Sequence, residues 1–455
     1  MPDDRAAEYY AVRGDPYPPF EWLRARRRGI VLAVGYRFLF HLLSRPFYLG
    51  LLRCLFAILR CLSPIARVSS LVIPTRHADI REALTRPRDL NTAEGMVPRL
   101  PMGAIVQAID WPERHRAERA AIETAFAKTA AGDYAALRTL VRARLAKQLP
   151  PTVTDNEIDI ASALTEEVAL DVAISYFGVG SARHLAPGSE REHLRRILRL
   201  LASQIFRAPP KGSKAAGEVQ FAKQDLLTLA MEAAGVAGTI HRPGQDDTVL
   251  AHMLAQARSG AEPWLTKDWA IRNAASLSVF GTATTARALT QAILWILRKG
   301  GAEQARAAAQ AYHAAPNDPA ARDRLRLIAL EGLRFNPMLP ILGARACLRP
   351  TALSLGTENR VHLAPGQTVL PAPLAAMFDP EVFPCPNAFR PKDRNEADYL
   401  HFGHGPHICV GRRQAEIQFE ETLGALFLID NLSLEDCRIT YDGPAVHRLR
   451  VRYDA

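Results

Sequence analysis

One cysteine-centred loop constrains this chain of 455 residues more than any other feature. Cys409 lies in a glycine-rich stretch, Phe402 to Gly411, that comes just before a segment with helical periodicity. Backbone N–H groups and the positive end of a helix lower the pKa of a nearby thiol, so this position favours a thiolate that binds a metal. Gly405 and Gly411 allow tight turns and the close approach of a large flat group. Phe402 would cover that group, and His407 would donate to an anion.

The alternatives for Cys409 fit the loop less well. A single free cysteine is most often a small buried hydrophobe, but four other fixed positions within ten residues favour a ligand. Zinc is disfavoured because no second Cys or His pair stands at ligand spacing nearby. The ten residues fit the pattern Phe-x-x-Gly-x-His-x-Cys-x-Gly, and here the chain resembles the cytochrome P450 family of haem-thiolate monooxygenases.

The resemblance implies a mainly α fold, a cytochrome P450-like arrangement of helices around a buried haem with small β-sheets. Haem b (iron protoporphyrin IX) would be the cofactor, and Cys409 would be its axial thiolate ligand. Phe402, His407 and Gly411 would contribute to cofactor binding. The haem-thiolate domain is predicted at residues 71–455, after an N-terminal extension at residues 1–70.

Composition sets broader limits. Hydrophobic residues at 48% and charged residues at 23% are typical of a globular protein. The six cysteines are widely scattered, which argues against a disulfide scaffold and favours a reducing, cytoplasmic location. The net charge of +10 would suit nucleic acid, an anionic membrane or an acidic protein. A nucleic-acid partner is not predicted, because the sequence shows no nucleic-acid-binding motif.

The first 70 residues depart from a plain enzyme domain. They contain eleven arginines against five acidic residues, a local net charge of +6. The apolar stretch from Gly29 to Leu62 is interrupted too often for a membrane-spanning helix, and no cleavable signal is evident. Arg37, His41 and Arg45 share a helical stripe, and Pro46 should end that segment. Two interpretations stay open: a peripheral element on a membrane surface, or a hairpin that packs on the domain or on another copy.

Helical periodicity dominates the remainder. Helices are predicted at residues 112–128, 157–180, 188–208, 215–237, 246–260, 267–300, 325–335 and 412–428. Strands are predicted at residues 353–355 and 439–441, with a hairpin at residues 361–370 around Pro365 and Gly366.

His115 and Arg119 stand four apart on the first of these helices and therefore share a face. Two cationic donors on one face form a clamp for carboxylates, although spacing alone equally favours a solvated basic face. The resemblance implies that this pair binds haem propionates. It assigns Arg345, on a later strand, to the same role together with His407.

The segment from Leu277 to Leu297 is apolar on most sides and should cross the core. Within it, Gly281 is followed by Thr282, Ala283, Thr284 and Thr285, and threonine hydroxyls there would open the helix locally. The resemblance implies that Thr284 and Thr285 are the catalytic pair over the haem. Ala283 stands where the family has an acid, so proton delivery would need another route. A helix kink capped by threonines is the alternative.

Glu331 and Arg334 are three apart on another predicted helix. As an exposed pair they would contribute little. The resemblance implies that they are buried beneath the haem and tie the cysteine loop to the core, a structural role.

The function expected from the resemblance is haem-dependent hydroxylation or epoxidation of a hydrophobic organic substrate with dioxygen. No flavodoxin-like, Rossmann or iron–sulfur segment follows the haem region, so ferredoxin and ferredoxin reductase are expected as external electron donors. Arg412 and Arg413 would form part of the docking face, or else a solvated helix start. A peroxide-driven or non-oxygenating haem-thiolate enzyme is the alternative, followed by a haem-binding sensor or scaffold. The substrate itself stays open.

Overall fold

The structure is a computed structural model. It describes residues 46–92, 102, 105–106, 109–110, 112–149, 157–206, 212–236, 247–354, 360–434, 439–442 and 445–453. Helices dominate these residues, as the sequence predicted. The helices are α1 Pro46–Leu62, α2 His77–Leu84, α3 Pro112–Lys128, α4 Ala131–Gln148, α5 Glu166–Asp171, α6 Ser189–Phe206, α7 Lys214–Val236, α8 Val249–Arg258, α9 Lys267–Arg298, α10 Ala302–Ala314, α11 Pro319–Arg334, α12 Pro373–Ala376 and α13 Arg412–Leu426.

Short strands form small sheets around the helices. The strands are β1 Ile65–Val68, β2 Leu71–Pro74, β3 Leu90–Asn91, β4 Glu157–Asp159, β5 Arg345–Cys347, β6 Thr351–Leu353, β7 Val361–Leu363, β8 Thr368–Val369, β9 Ser433–Leu434, β10 Thr440–Asp442, β11 Ala445–Arg448 and β12 Arg450–Arg452. The largest sheet has the order β1-β2-β8-β5-β3.

The predicted hairpin at residues 361–370 is wrong. β7 pairs with β6, whereas β8 pairs with β2 and β5 in the larger sheet. The turn at Pro365 and Gly366 is present, but it connects two different sheets. The predicted helix at residues 157–180 is also only partly right, because Glu157–Asp159 forms a strand before π-helical turns that flank α5.

The central helix α9 positions one side of the site. Thr266 caps its start by accepting a hydrogen bond from Trp269 N at 3.1 Å. Most of its side chains are buried, as expected of a helix that crosses the core. The hydroxyls of Thr282 and Thr284 donate to the carbonyls four residues earlier, at 2.7 and 2.6 Å. The helix is nevertheless continuous from Lys267 to Arg298, so the predicted local opening is not found.

Helix α1 begins at Pro46, the residue at which the preceding segment was predicted to end. It packs against α12. Arg60 donates to Thr75 O at 3.0 Å and to Ala375 O at 2.6 Å, and Arg53 lies over the Phe378 ring at 4.7 Å. The predicted stripe of Arg37, His41 and Arg45 lies outside the described residues. No helix within the described ranges is long and apolar enough to cross a bilayer.

A fully buried ion pair ties α11 to the segment that leads into the cysteine loop. Arg334 donates to both carboxylate oxygens of Glu331 at 2.8 Å, and both side chains are completely buried. The Arg334 guanidinium also donates to three backbone carbonyls in the segment that follows α12. The Glu331 carboxylate accepts hydrogen bonds from two further groups in the same segment. These partners are Met377 O, Pro386 O and Ala388 O for Arg334, and Arg390 N and Tyr399 Oη for Glu331.

Replacing Glu331 by Gln should lower the free energy of unfolding by about 3–5 kcal/mol, because it leaves the Arg334 guanidinium buried without a counter-charge. Urea unfolding followed by circular dichroism measures the change. Glu113→Gln is the control: its pair with Arg88, at 3.3 Å, joins side chains that are 54% and 64% exposed. That substitution should change stability by less than about 0.5 kcal/mol. Equal effects of the two substitutions would contradict a structural role for the buried pair.

Candidate active site

The cysteine loop is held by its own backbone and by α2. Cys409 N donates to Phe402 O at 2.8 Å, and Ile408 N donates to Gly405 O at 3.0 Å. Gly405 has φ +72°, and a Cβ at this position would lie 2.8 Å from Leu84 O. A side chain is therefore excluded there by both backbone conformation and space. α13 begins directly after Gly411, so the loop delivers Cys409 to the start of a helix.

The thiol of Cys409 is not activated in the way the sequence suggested. Desolvation by the surrounding protein raises the pKa of Cys409, while a hydrogen bond from Gly411 and the charge of Arg119 lower it to a smaller extent. Protein atoms thus surround the sulfur, although part of the residue is accessible at the surface of the loop. The helix start and backbone donors therefore do not produce a thiolate by themselves. Displacement of the proton by a metal would supply the missing free energy.

Arg119 connects α3 to the cysteine loop. Its guanidinium donates to Ile408 O at 2.6 Å and to Pro406 O at 3.4 Å. Its Nε donates to Glu123 at 2.7 Å. The structure thus brings Arg119 to the cysteine loop, where its described contacts are to the loop backbone and to Glu123.

His115 and His407 meet, as predicted, with ring centroids 4.5 Å apart. His407 Nε2 lies 3.1 Å from Asp110 Oδ1, and Thr92 N donates to Asp110 Oδ2 at 2.8 Å. Burial, together with the charges of His407 and Arg119, lowers the pKa of His115 to about 4. The Nδ1 atom of His407 is buried and has no hydrogen-bond partner among the described residues. One ring nitrogen is therefore held by Asp110 and the other is left for a ligand.

Arg345 belongs to the same cluster. It lies at the start of β5 with 6% of its surface exposed, and it donates to Gly343 O at 2.9 Å. Desolvation lowers its pKa to about 10, opposed by the charge of Asp110. Within the described ranges no carboxylate lies within ion-pair distance of this guanidinium. A buried arginine without a carboxylate partner favours an anionic ligand.

An open face on α9 forms the other candidate wall. Phe280 and Thr284, one turn apart, are only partly buried, whereas Val279, Ala283 and Thr285 are buried. The Thr284 hydroxyl donates to Phe280 O at 2.6 Å. Thr284 therefore lies on the open face, whereas Thr285 is in the core. Ala283, the residue before Thr284, contributes no ionisable group to this part of the helix.

The residues present fit a haem. An anionic ligand would satisfy the buried Arg345 guanidinium and the unpartnered Nδ1 of His407. Haem carries two propionates, and its iron takes a cysteine thiolate as axial ligand. Cys409 is the thiol two residues after His407 in the loop. The partly buried ring of Phe402, with Arg412 over it at 5.7 Å, lies at the start of the same loop.

Sequence comparison is consistent with this chemistry. The family model for cytochrome P450 matches residues 239–440, which include α9, the Glu331–Arg334 pair and the cysteine loop. Over these residues the chain is similar to the cytochrome P450 family. Cyclomarin C epoxidase CymV of Salinispora arenicola is 25% identical over 316 residues, which is 70% of this chain and 71% of that protein. A probable cytochrome P450 308a1 of Drosophila melanogaster is 30% identical over 41% of this chain.

The alignments with the Drosophila cytochromes P450 308a1 and 309a1 span only 44% and 20% of those proteins. Similarity to solved cytochromes P450 extends over more of the chain. Cytochrome P450 TbtJ1 has a TM-score of 0.69 at 19% identity and covers 89% of this chain and 98% of its own. P450BioI, in a complex with an acyl carrier protein, has a TM-score of 0.68 at 19% identity, covering 88% and 97%. At this identity the similarity establishes the fold.

Two supporting partners were not found from the sequence. Asp110, just before α3, holds His407. The hydroxyl of Tyr399 donates to Glu331 at 2.7 Å. Asp110 and His407 are 297 residues apart, so no local pattern could reveal their contact. Both residues support side chains that the sequence analysis had singled out.

Acid should destabilise the folded protein through its buried histidines. Burial lowers the pKa of His115 to about 4 and that of His401 to about 3. The unfolded chain binds these protons near pH 6.5 and the folded chain does not, so the free energy of unfolding should fall as pH falls from about 6.5 towards 4. Urea unfolding at several pH values measures this slope. His115→Gln should make it shallower, and an unchanged slope would contradict the assignment.

Proposed function

We propose that the chain is a haem-thiolate monooxygenase that inserts oxygen into a hydrophobic organic substrate, by hydroxylation or epoxidation. The observation that carries the proposal is the grouping of His407 and Arg345 around Asp110, with Cys409 two residues after His407 in the loop. Bound haem would supply activation of dioxygen at its iron. Similarity to this family and the epoxidase activity named for CymV support oxygen insertion as the reaction class.

The residues of the chain would have different roles on the two faces of the haem. Cys409 would ligate the iron, and its loop would hold the sulfur in place through the Cys409 N to Phe402 O hydrogen bond of 2.8 Å. His115, Arg119, Arg345 and His407 would hold the propionates, and Phe402 and Gly411 would pack beside the ring. The Arg345 guanidinium would gain the most from a propionate because it is buried without a carboxylate partner.

Thr284 would handle a proton on the opposite face. Its Oγ1–H donates to Phe280 O in the structure, which leaves lone pairs on Oγ1 free to accept a hydrogen bond from water. Water held there would carry the proton towards the haem side of α9. Ala283 contributes no carboxyl group to recharge that water, so the relay would run through solvent. Thr285, buried behind it, would fix the helix position.

Ala283 favours a second candidate, a peroxide-driven haem-thiolate enzyme. Hydrogen peroxide already carries two protons and two electrons more than dioxygen. A reaction that uses it therefore depends less on a carboxylate that relays protons. Turnover with hydrogen peroxide that exceeds turnover with reduced ferredoxin would support this candidate. The reverse order would support the monooxygenase.

Electrons would arrive from ferredoxin and ferredoxin reductase on the side of Cys409. An open depression of about 480 Å³ lies beside the cysteine and is bordered by arginines. Its cationic residues are Arg119, Arg326, Arg412 and Arg413. Each of these arginines is paired with a carboxylate, at distances of 2.6 to 2.8 Å; the partners are Glu123, Glu396, Glu416 and Glu420 respectively. A small acidic donor would compete with these carboxylates for the arginines, and its association should weaken with salt.

Cys409→Ala should abolish the red-shifted Soret band of the reduced, carbon-monoxide-bound protein, because no other described cysteine lies in the site. Absorption spectroscopy of the purified holoprotein makes the measurement. Cys385→Ala, at an exposed position before the loop, is the control and should keep the band. A wild-type protein without this band would refute haem-thiolate ligation.

Thr284→Ala should keep the Soret band but divert reducing equivalents into hydrogen peroxide, lowering the coupling of electron consumption to product by about tenfold. The ratio of peroxide released to reductant consumed measures this. Thr282→Ala is the matched control, because Thr282 makes the same type of bond to the carbonyl four residues earlier but is buried away from the open face. Normal coupling in Thr284→Ala would exclude the proton role.

A further inference from the structure

Helix α1 carries an uncovered aliphatic stripe. Leu51, Leu55, Ile58 and Leu62 are 53%, 49%, 55% and 79% exposed. Their spacing of four, three and four residues places them on one side of the helix. Exposed single leucines are ordinary on protein surfaces, but four at helical spacing form a continuous patch. We call these four residues the α1 stripe.

The charged side chains of α1 lie on the side of the helix opposite the α1 stripe. Arg53 and Arg60 are its charged residues, and both face the protein: Arg53 lies over Phe378, and Arg60 donates to Ala375 O at 2.6 Å. A helix that only packs on its own domain normally turns its aliphatic side inward and its arginines to water. In α1 Leu49, Leu52 and Phe56 are buried against the domain, but the arginines face inward as well, and the outward side presents further apolar side chains.

A neighbouring hairpin extends the patch. β1 contacts α1 and ends at Val68, which is 61% exposed. Arg67, next to it, is exposed and donates to His362 O. The edge of the apolar patch is therefore cationic.

The sequence around α1 has an extreme charge pattern. Residues 22–78 contain ten arginines and no aspartate or glutamate. That single stretch accounts for a charge equal to the +10 of the whole chain. Apolar surface combined with clustered arginines matches the two terms that hold a helix on an anionic bilayer, namely burial of apolar area and attraction to headgroups. An acidic protein would match only the charge.

The preceding sequence supports a lipid rather than a self-covered surface. Residues 29–44 include eleven apolar side chains and one arginine, Arg37. The four residues of the α1 stripe offer too little apolar surface to cover all eleven of these side chains. Arg24, Arg26, Arg27 and Arg28 lie directly before this segment and would add headgroup contacts.

We propose that the α1 stripe docks on the surface of a lipid bilayer that contains anionic lipid. Its leucines and isoleucine would enter the acyl boundary, and Arg67 at the edge of the patch would lie at the headgroups. The docking does not depend on the proposed enzymatic activity, because no residue of the haem site takes part.

Vesicle flotation of the full-length holoprotein tests the proposal. It should float with phosphatidylcholine vesicles that contain phosphatidylglycerol and much less with phosphatidylcholine alone. Leu55→Glu/Ile58→Glu should lower the bound fraction by about tenfold or more. Phe221→Glu/Met231→Glu is the control, because these α7 residues are 68% and 50% exposed but lie outside the stripe. Absence of wild-type flotation, or equal flotation of both double variants, would overturn the proposal.

Thiol labelling of the wild type provides a second test that needs no variant. Cys54 and Cys61 are exposed on α1, and Cys385 is exposed elsewhere. A water-soluble maleimide, followed by peptide mapping, should label all three in solution. Anionic vesicles should protect Cys54 and Cys61 but not Cys385.

Two outcomes would overturn the lipid assignment in favour of another occupant. Protection of Cys54 and Cys61 without vesicles, in a monomer, would mean that residues 29–44 cover the stripe. A dimer on size-exclusion chromatography that dissociates in Leu55→Glu/Ile58→Glu would mean that a second copy covers it.

Discussion

The buried bidentate pair between Glu331 and Arg334 is the interaction on which the position of the cysteine loop depends. Each charge alone would be costly inside the protein, and each is balanced by the other at 2.8 Å. Because Arg334 also binds the carbonyls of Met377, Pro386 and Ala388, an irregular segment is attached to α11 at several points. A segment without regular hydrogen bonding would otherwise have no fixed course. The loop that carries Cys409 begins where this fixed segment ends.

Much of the fold could be predicted because helical periodicity is local. α3 was predicted with the bounds found, Pro112–Lys128, and the predicted helix at residues 412–428 is α13, Arg412–Leu426. The strands were less predictable, since β8 pairs with β2 across almost three hundred residues and no turn signal specifies that partner. The continuous course of α9 was also not foreseen. Threonine hydroxyls that bond to the preceding turn can coexist with an intact helix when surrounding packing fixes it.

The site shows the same division between local motif and distant contact. The cysteine loop and the Glu331–Arg334 pair are local motifs in the sequence, whereas the grouping of His115 with His407 was implied by the family resemblance. The support given by Asp110 and Tyr399 follows from neither, because each reaches its partner only in the folded chain. The electrostatics also differ from the simplest expectation: desolvation raises the pKa of Cys409 despite the adjacent helix start. The helix start alone therefore does not ionise the thiol, and a bound metal would favour the thiolate.

The contacts of Arg60 give α1 a fixed direction as well as a fixed position. Its guanidinium joins the helix to the carbonyls of Thr75, Ala375 and Phe378, at the end of β2 and on both sides of the α12 terminus. A helix anchored through three carbonyls cannot rotate about its axis without leaving buried acceptors unpaired. Whatever contacts the outward side of α1 would therefore set the tilt of the five-stranded sheet, and with it the angle at which the rest of the molecule faces that contact.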